Sequence, residues 1–97
     1  MCTATWRAAD GGYRLLFNRD ERRTRGRAHP PARHRAARDG TPYLAPTDPD
    51  GGGTWLLANA FGVTICLLNG YRLDHDAGPA PAGGWRSRGL LVSDLAD

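Results

Sequence analysis

The sequence predicts an α+β fold of two antiparallel β-hairpins followed by a C-terminal helix. Residues 2–7 alternate apolar and polar before Asp10-Gly11-Gly12, the pattern of a half-buried strand entering a tight turn. Two apolar, β-branched runs at 54–58 and 63–69 flank the turn-like Asn59-Ala60-Phe61-Gly62. Residues 88–95 follow Ser87, a helix N-cap type, with apolar side chains at helical spacing.

In the first hairpin, Tyr13 to Phe17 is the returning strand. Two registers are open. With Asp10-Gly11 as the loop, Cys2 lies opposite Arg19; with Gly11-Gly12 as the loop, it lies opposite Glu21. Either one sets Cys2 beside Asn18, Arg19, Asp20 and Glu21, so strand pairing alone gathers a thiol, an amide, a guanidinium and two carboxylates. Residues 22–50 are rich in Arg, Ala, Pro and Gly and lack apolar periodicity; the expectation is a long loop, with a short strand only at 41–45. The second hairpin is apolar without interruption through Leu68, which predicts a strand covered on both faces. Residues 72–86 again read as loop.

At 97 residues the chain has room for a single domain, which would bury about 60–65% of its extended surface. Few elements with strongly apolar faces predict that residues 1–97 are the N-terminal part of a larger domain. All 13 cationic side chains are arginine, and eight of them fall within 19–38. Such a run is a candidate for binding phosphate backbones. It contains no aromatic residue for base stacking, so nucleic acid is not the expected partner. No stretch approaches the roughly 18 apolar residues of a spanning helix, and no apolar leader follows Met1. The expected compartment is the cytoplasm, where Cys2 and Cys66 remain thiols. His29 and His34 have no second ligand at metal-binding spacing, so neither metal nor cofactor is expected.

The opening Met-Cys-Thr, NRDE at 18–21, GGTWL at 52–56, LLNGY at 67–71 and SRGLLV at 87–92 resemble the NRDE family, which includes the transport and Golgi organization protein 2 relatives. That family is similar to the N-terminal nucleophile hydrolases, so the resemblance implies the N-terminal part of an αββα sandwich. It also implies a non-peptide amide hydrolase whose nucleophile is Cys2 after removal of Met1. Cleavage there frees an α-amine of ordinary pKa about 7.7–8 on the carbon that bears the thiol, so one residue holds nucleophile and base. By the same resemblance Asp20 holds the amine, Arg19 orients the substrate or favours the thiolate, and Asn69 donates to an oxyanion. Asn18, Gly52 and Gly53 fall at substrate-contacting positions. The choloylglycine-type pattern sets its arginine three residues before its aspartate, whereas Arg19 directly precedes Asp20; the Asp20 match is the more direct.

Other readings stay open beside these. Cys2 alone is a small strand residue, Arg19 to Glu21 an exposed ion-pair cluster, and Gly51-Gly52-Gly53 either a flexible turn or a place where backbone approaches a ligand. The expected partner is a small amide or acyl compound. The alternative is a non-enzymatic carrier of a lipid or haem-like ligand, because a fold does not dictate its function.

Overall fold

The computed structural model describes residues 2–68, 82–84 and 86–97. Their elements form two antiparallel sheets and one helix, the α+β class the sequence predicts. The expected 72–86 loop falls largely outside the described residues.

Strands β1 (Thr3–Ala9) and β2 (Gly12–Asn18) form a two-stranded sheet, pairing from Thr3 with Asn18 to Ala9 with Gly12. This selects the Asp10-Gly11 loop and sets Cys2 at the position facing Arg19. Gly11 takes φ +74° while Asp10 stays at negative φ, so only the residue without a Cβ carries the left-handed conformation. With a period of two, Tyr13, Leu15, Phe17 and Arg19 share one face of the hairpin.

The second sheet runs β3-β4-β5-β6. Its strands are β3 (His29–Arg35), β4 (Pro42–Thr47), β5 (Leu56–Asn59) and β6 (Thr64–Cys66). The long loop expected over 22–50 is therefore corrected: this segment supplies β3, which was not expected, while β4 falls on the short strand expected at 41–45. Pro30 and Pro31 have no N–H for a ladder, yet β3 is an edge strand, and its register against β4 shifts between His29 and Ala32, where the prolines lie. The residues of β3 are exposed except His34, which stacks on Tyr43 of β4 at 5.2 Å between ring centroids. An exposed edge strand needs no apolar alternation, and none marks it.

β5 and β6 are joined by four residues, Ala60-Phe61-Gly62-Val63, with Asn59 N donating to Val63 O at 2.9 Å. Asn59 Oδ1 accepts the N–H groups of Phe61 and Val63, each at 3.0 Å, and Gly62 closes the turn at φ +79°. The strand expected to be covered on both faces is instead a short, half-buried edge.

Helix α1 (Arg88–Ala96) packs on β5. Ser87 holds the extended N-cap conformation, φ −60° and ψ 131°, although its side chain makes no capping hydrogen bond. Val92 of α1 meets Ala45 and Leu57, with Tyr43, Ile65, Leu67 and Ala96 around them. Leu57 is the one large side chain buried completely among the described residues. Its truncation to alanine costs about 2–5 kcal/mol by the usual transfer and cavity effects.

The opposite face of this sheet looks toward the β1–β2 hairpin. The Tyr13 hydroxyl donates to Gly62 O at 2.6 Å and lies 2.5 Å from Thr64 Oγ1, tying the hairpin to the β5–β6 turn. Beside this tie lies an apolar cleft of about 530 Å³, lined by residues that include Leu15, Leu44, Pro46 and Leu56.

Candidate functional site

A second cavity, about 410 Å³, opens where the hairpin returns to the four-stranded sheet. The start of β1 brings Cys2, the exit of β2 brings Arg19 and Glu21, the glycine loop brings Asp48 and Gly53, and the residues around the start of α1 bring Arg86 to Gly89. Trp55 and Leu67 give it apolar wall.

Cys2 is half-buried, and its Sγ lies 3.7 Å from the main-chain oxygen of Asp20, within reach of a thiol hydrogen bond. The register found in β1–β2 explains this closeness, since the residues flanking the paired ends remain side by side. The carboxyl of Asp20 is held below its ordinary range by a hydrogen bond with the chain's N-terminal ammonium and by that group's charge.

Arg19 lies over the ring of Trp55, its guanidinium carbon 4.0 Å from the centroid, and its Nη2 is 3.6 Å from Asp48 Oδ2. Asp48 is 6% exposed and organises its surroundings. Arg25 donates to Oδ2 through Nε at 3.0 Å and through Nη2, while Oδ1 accepts the N–H of Asp50 at 3.0 Å. Burial pushes this carboxyl up; the Arg25 hydrogen bond, the N–H of Asp50, the Arg25 charge and the N–H of Gly51 together outweigh burial and hold it below the usual value. The main chain of Asp48 closes the same loop, its N–H donating to Gly53 O and its carbonyl accepting from Gly52 N, both at 2.8 Å. The N–H of Gly26 donates to Asp50 Oδ2 at 2.8 Å, fastening the segment after NRDE to this loop.

Gly53 is buried against the first turn of α1. A Cβ there would stand 2.3 Å from the carbonyl carbon of Gly89 and 2.5 Å from Leu90 N. Thr54 N donates to Gly89 O at 3.1 Å across this contact. The glycine thus permits main chain to approach main chain, and it still lines the cavity.

The structure brings Cys2, Arg19 and Gly53 to one cavity. Asp20 does not line it and meets Cys2 through its main-chain oxygen, 3.7 Å from Sγ. Asn18 is exposed opposite Thr3, and Gly52 sits in the turn at φ +72°; neither lines the cavity. Asn69 lies outside the described residues. Sequence reasoning missed Asp48, Arg25 and Trp55 as residues of the cavity. The available signal was Asp48-Pro49-Asp50 running into three glycines, an aspartate positioned to accept the N–H groups of a following turn.

Among the described residues no helix is long and apolar enough to cross a membrane. No curated protein and no solved structure matches the sequence. Residues 1–97, which carry the Met-Cys-Thr start, the NRDE run and the glycine loop that meet at this cavity, match Transport and Golgi organisation 2, and the chain belongs to that family.

Proposed function

We propose that this chain carries the nucleophilic centre of an N-terminal nucleophile amidohydrolase, cleaving a non-peptide C–N bond with Cys2 once Met1 has been removed. The observation behind it is the placement of the Cys2 thiol at the Asp20 main chain, in a cavity it shares with the Arg19 guanidinium.

The chemistry follows from one residue holding two groups. The free α-amine of Cys2, oriented by the Asp20 carboxylate, takes the thiol proton, directly or through one water. The thiolate attacks the amide carbonyl, and the oxyanion that forms is stabilised by hydrogen-bond donors, among which we place Asn69; one such donor is worth about 3–4 kcal/mol. The ammonium returns its proton to the departing amine as the C–N bond breaks, leaving a thioester. Water, deprotonated by the same amine, then releases the carboxylic acid and restores the thiol. In this reading the two sheets are the inner layers of an αββα sandwich, and α1 begins one outer layer.

The test uses the full-length untagged protein. Intact mass should show Met1 absent, and a thiol-reactive acyl probe should label Cys2 faster than Cys66. Cys2→Ser should abolish labelling and hydrolysis, while Asp20→Asn slows acylation and leaves the fold in place. Retained Met1, with Cys2 no more reactive than free cysteine, would sink the proposal. The apolar cleft of about 530 Å³ favours one second reading, a carrier of an apolar lipid or haem-like ligand. In that case Cys2→Ser binds ligand unchanged.

A further inference from the structure

Among the described residues that line it, the Cys2 cavity carries more positive than negative side chains. Among the described residues, four guanidiniums, those of Arg19, Arg25, Arg86 and Arg88, line it beside two carboxylates, Glu21 and Asp48, and Arg88 has an interaction partner of its own. Arg25 is committed to Asp48 through two N–H groups, and Arg86 pairs with Asp94 at 3.2 Å on the exposed rim. Arg19 differs from both. Its side chain is only 18% exposed, one face is covered by Trp55, and the nearest Asp48 oxygen stands at 3.6 Å, beyond ordinary hydrogen-bond length. The guanidinium donates no hydrogen bond to the described residues.

A shielded guanidinium stacked on Trp55 and ion-paired with Asp48 only at the long distance of 3.6 Å is a preformed receptor for an oxyanion, whose paired oxygens match the N–H fork. Trp55 and Asp48 fix its plane, so little side-chain freedom is lost when an anion binds. The cavity volume of about 410 Å³ lies within the usual range for small-molecule sites, about 300–1,000 Å³.

We infer that the compound acted on at this site is anionic, carrying a carboxylate or phosphate that Arg19 binds while its carbonyl faces the Cys2 thiol, with Arg86 adding positive charge at the rim. This rests on Cys2 as nucleophile, and the test separates the two ideas.

Iodoacetate and iodoacetamide both alkylate a thiolate with loss of iodide and differ by one negative charge. Each is applied to the full-length protein, and modification of Cys2 is followed by peptide mass against free cysteine in the same tube. The iodoacetate-to-iodoacetamide rate ratio at Cys2 should exceed that of free cysteine by about tenfold or more, the lower end of electrostatic focusing by a charged cleft. It should fall toward the free-cysteine ratio in about 0.5 M salt, where exposed charges are screened within a few ångströms. Arg19→Gln should remove the preference. Arg86→Gln, at an exposed position that leaves the fold intact, should lower it about two- to threefold. Protection of Cys2 from iodoacetamide by succinate assigns a carboxylate, and protection by inorganic phosphate a phosphate ester. A ratio equal to that of free cysteine, or one indifferent to salt and to Arg86→Gln, overturns the anion site even where Cys2 is fast with both reagents. Cys2 as slow as free cysteine with iodoacetamide overturns the nucleophile instead, and the ratio is still read.

Discussion

Gly53→Ala separates packing from substrate contact at a position where the sequence alone left both open. The added methyl would stand 2.3 Å from Gly89 C, 2.5 Å from Leu90 N and 2.6 Å from Gly89 O. All three are main-chain atoms, so no side-chain rotation relieves the clash, and α1 must move outward by about 1 Å to restore ordinary contact. Overpacking of this kind costs about 1–3 kcal/mol. The same movement stretches the 3.1 Å hydrogen bond from Thr54 N to Gly89 O, worth about 1 kcal/mol, and lifts Val92 from Leu57. The sum is about 2–4 kcal/mol, a large fraction of the roughly 5–15 kcal/mol that stabilises a domain. Urea unfolding followed by far-UV circular dichroism should show a lower midpoint at unchanged slope. Gly51→Ala is the matched control, because its methyl meets first the end of the Ser87 side chain, at 2.9 Å, which can rotate away. A Gly53→Ala protein with the wild-type midpoint but impaired turnover would refute the packing argument and make Gly53 a substrate-contacting residue.

Asp48→Asn should destabilise by about 2–3 kcal/mol, below the full 3–5 of a broken buried pair because Arg25 is partly solvated, and urea midpoints at pH 7 measure it. The Asp48 carboxyl sits below its ordinary value, so its stabilisation is complete above the unfolded pKa of about 3.9 and is lost as pH falls through the lower folded value; the Asn variant should lack that part of the acid transition. Tyr13→Phe removes the hydroxyl joining the hairpin to Gly62 and Thr64, for a loss of about 1 kcal/mol, and hydrogen exchange should quicken in β1 and β2 before the other strands. Burial pushes the Cys66 thiol up, so in Cys2→Ala its alkylation should rise at higher pH than that of free cysteine; the neutral thiol's contribution to stability is present below the ordinary pKa and lost as pH climbs through the folded one. A Cys66 profile that overlays free cysteine contradicts the burial argument.

What was legible in the sequence was local. Asp10-Gly11 announced the first hairpin, and Gly12 left its register open only because a second glycine could have entered the loop; the structure keeps Gly12 inside β2. Ser87 announced α1 to within a residue of its observed end. The strand β3 was illegible because an edge strand exposed on both faces carries no alternating pattern, and two prolines argued against it. The second hairpin was read too long: β5 begins only at Leu56, because Thr54 turns its main chain to Gly89 and Trp55 turns its ring to Arg19. The site divides along the same line. Cys2 and Arg19 meet through hairpin register, which sequence carries. Asp48 meets Arg25 across 23 residues, and nothing in the spacing of an aspartate among prolines and glycines specifies that partner.

The hairpin itself links the two functional readings. Tyr13 anchors one end of β2 to the β5–β6 turn, and Arg19, just past its other end, is held by Trp55 and Asp48. Six residues of extended chain separate these anchors by about 20 Å, and the pleat keeps both on the face that carries Leu15 and Phe17. The same face therefore borders the apolar cleft near Tyr13 and Leu15 and the charged cavity at Arg19. Since β1 is registered on β2 along its whole length, the position of Cys2 depends on both anchors rather than on its own contacts alone. Loosening Tyr13 should then disturb the Cys2 thiol across the length of the strand, whereas a Cys2 environment indifferent to Tyr13→Phe would mean that the Arg19 end holds the nucleophile by itself.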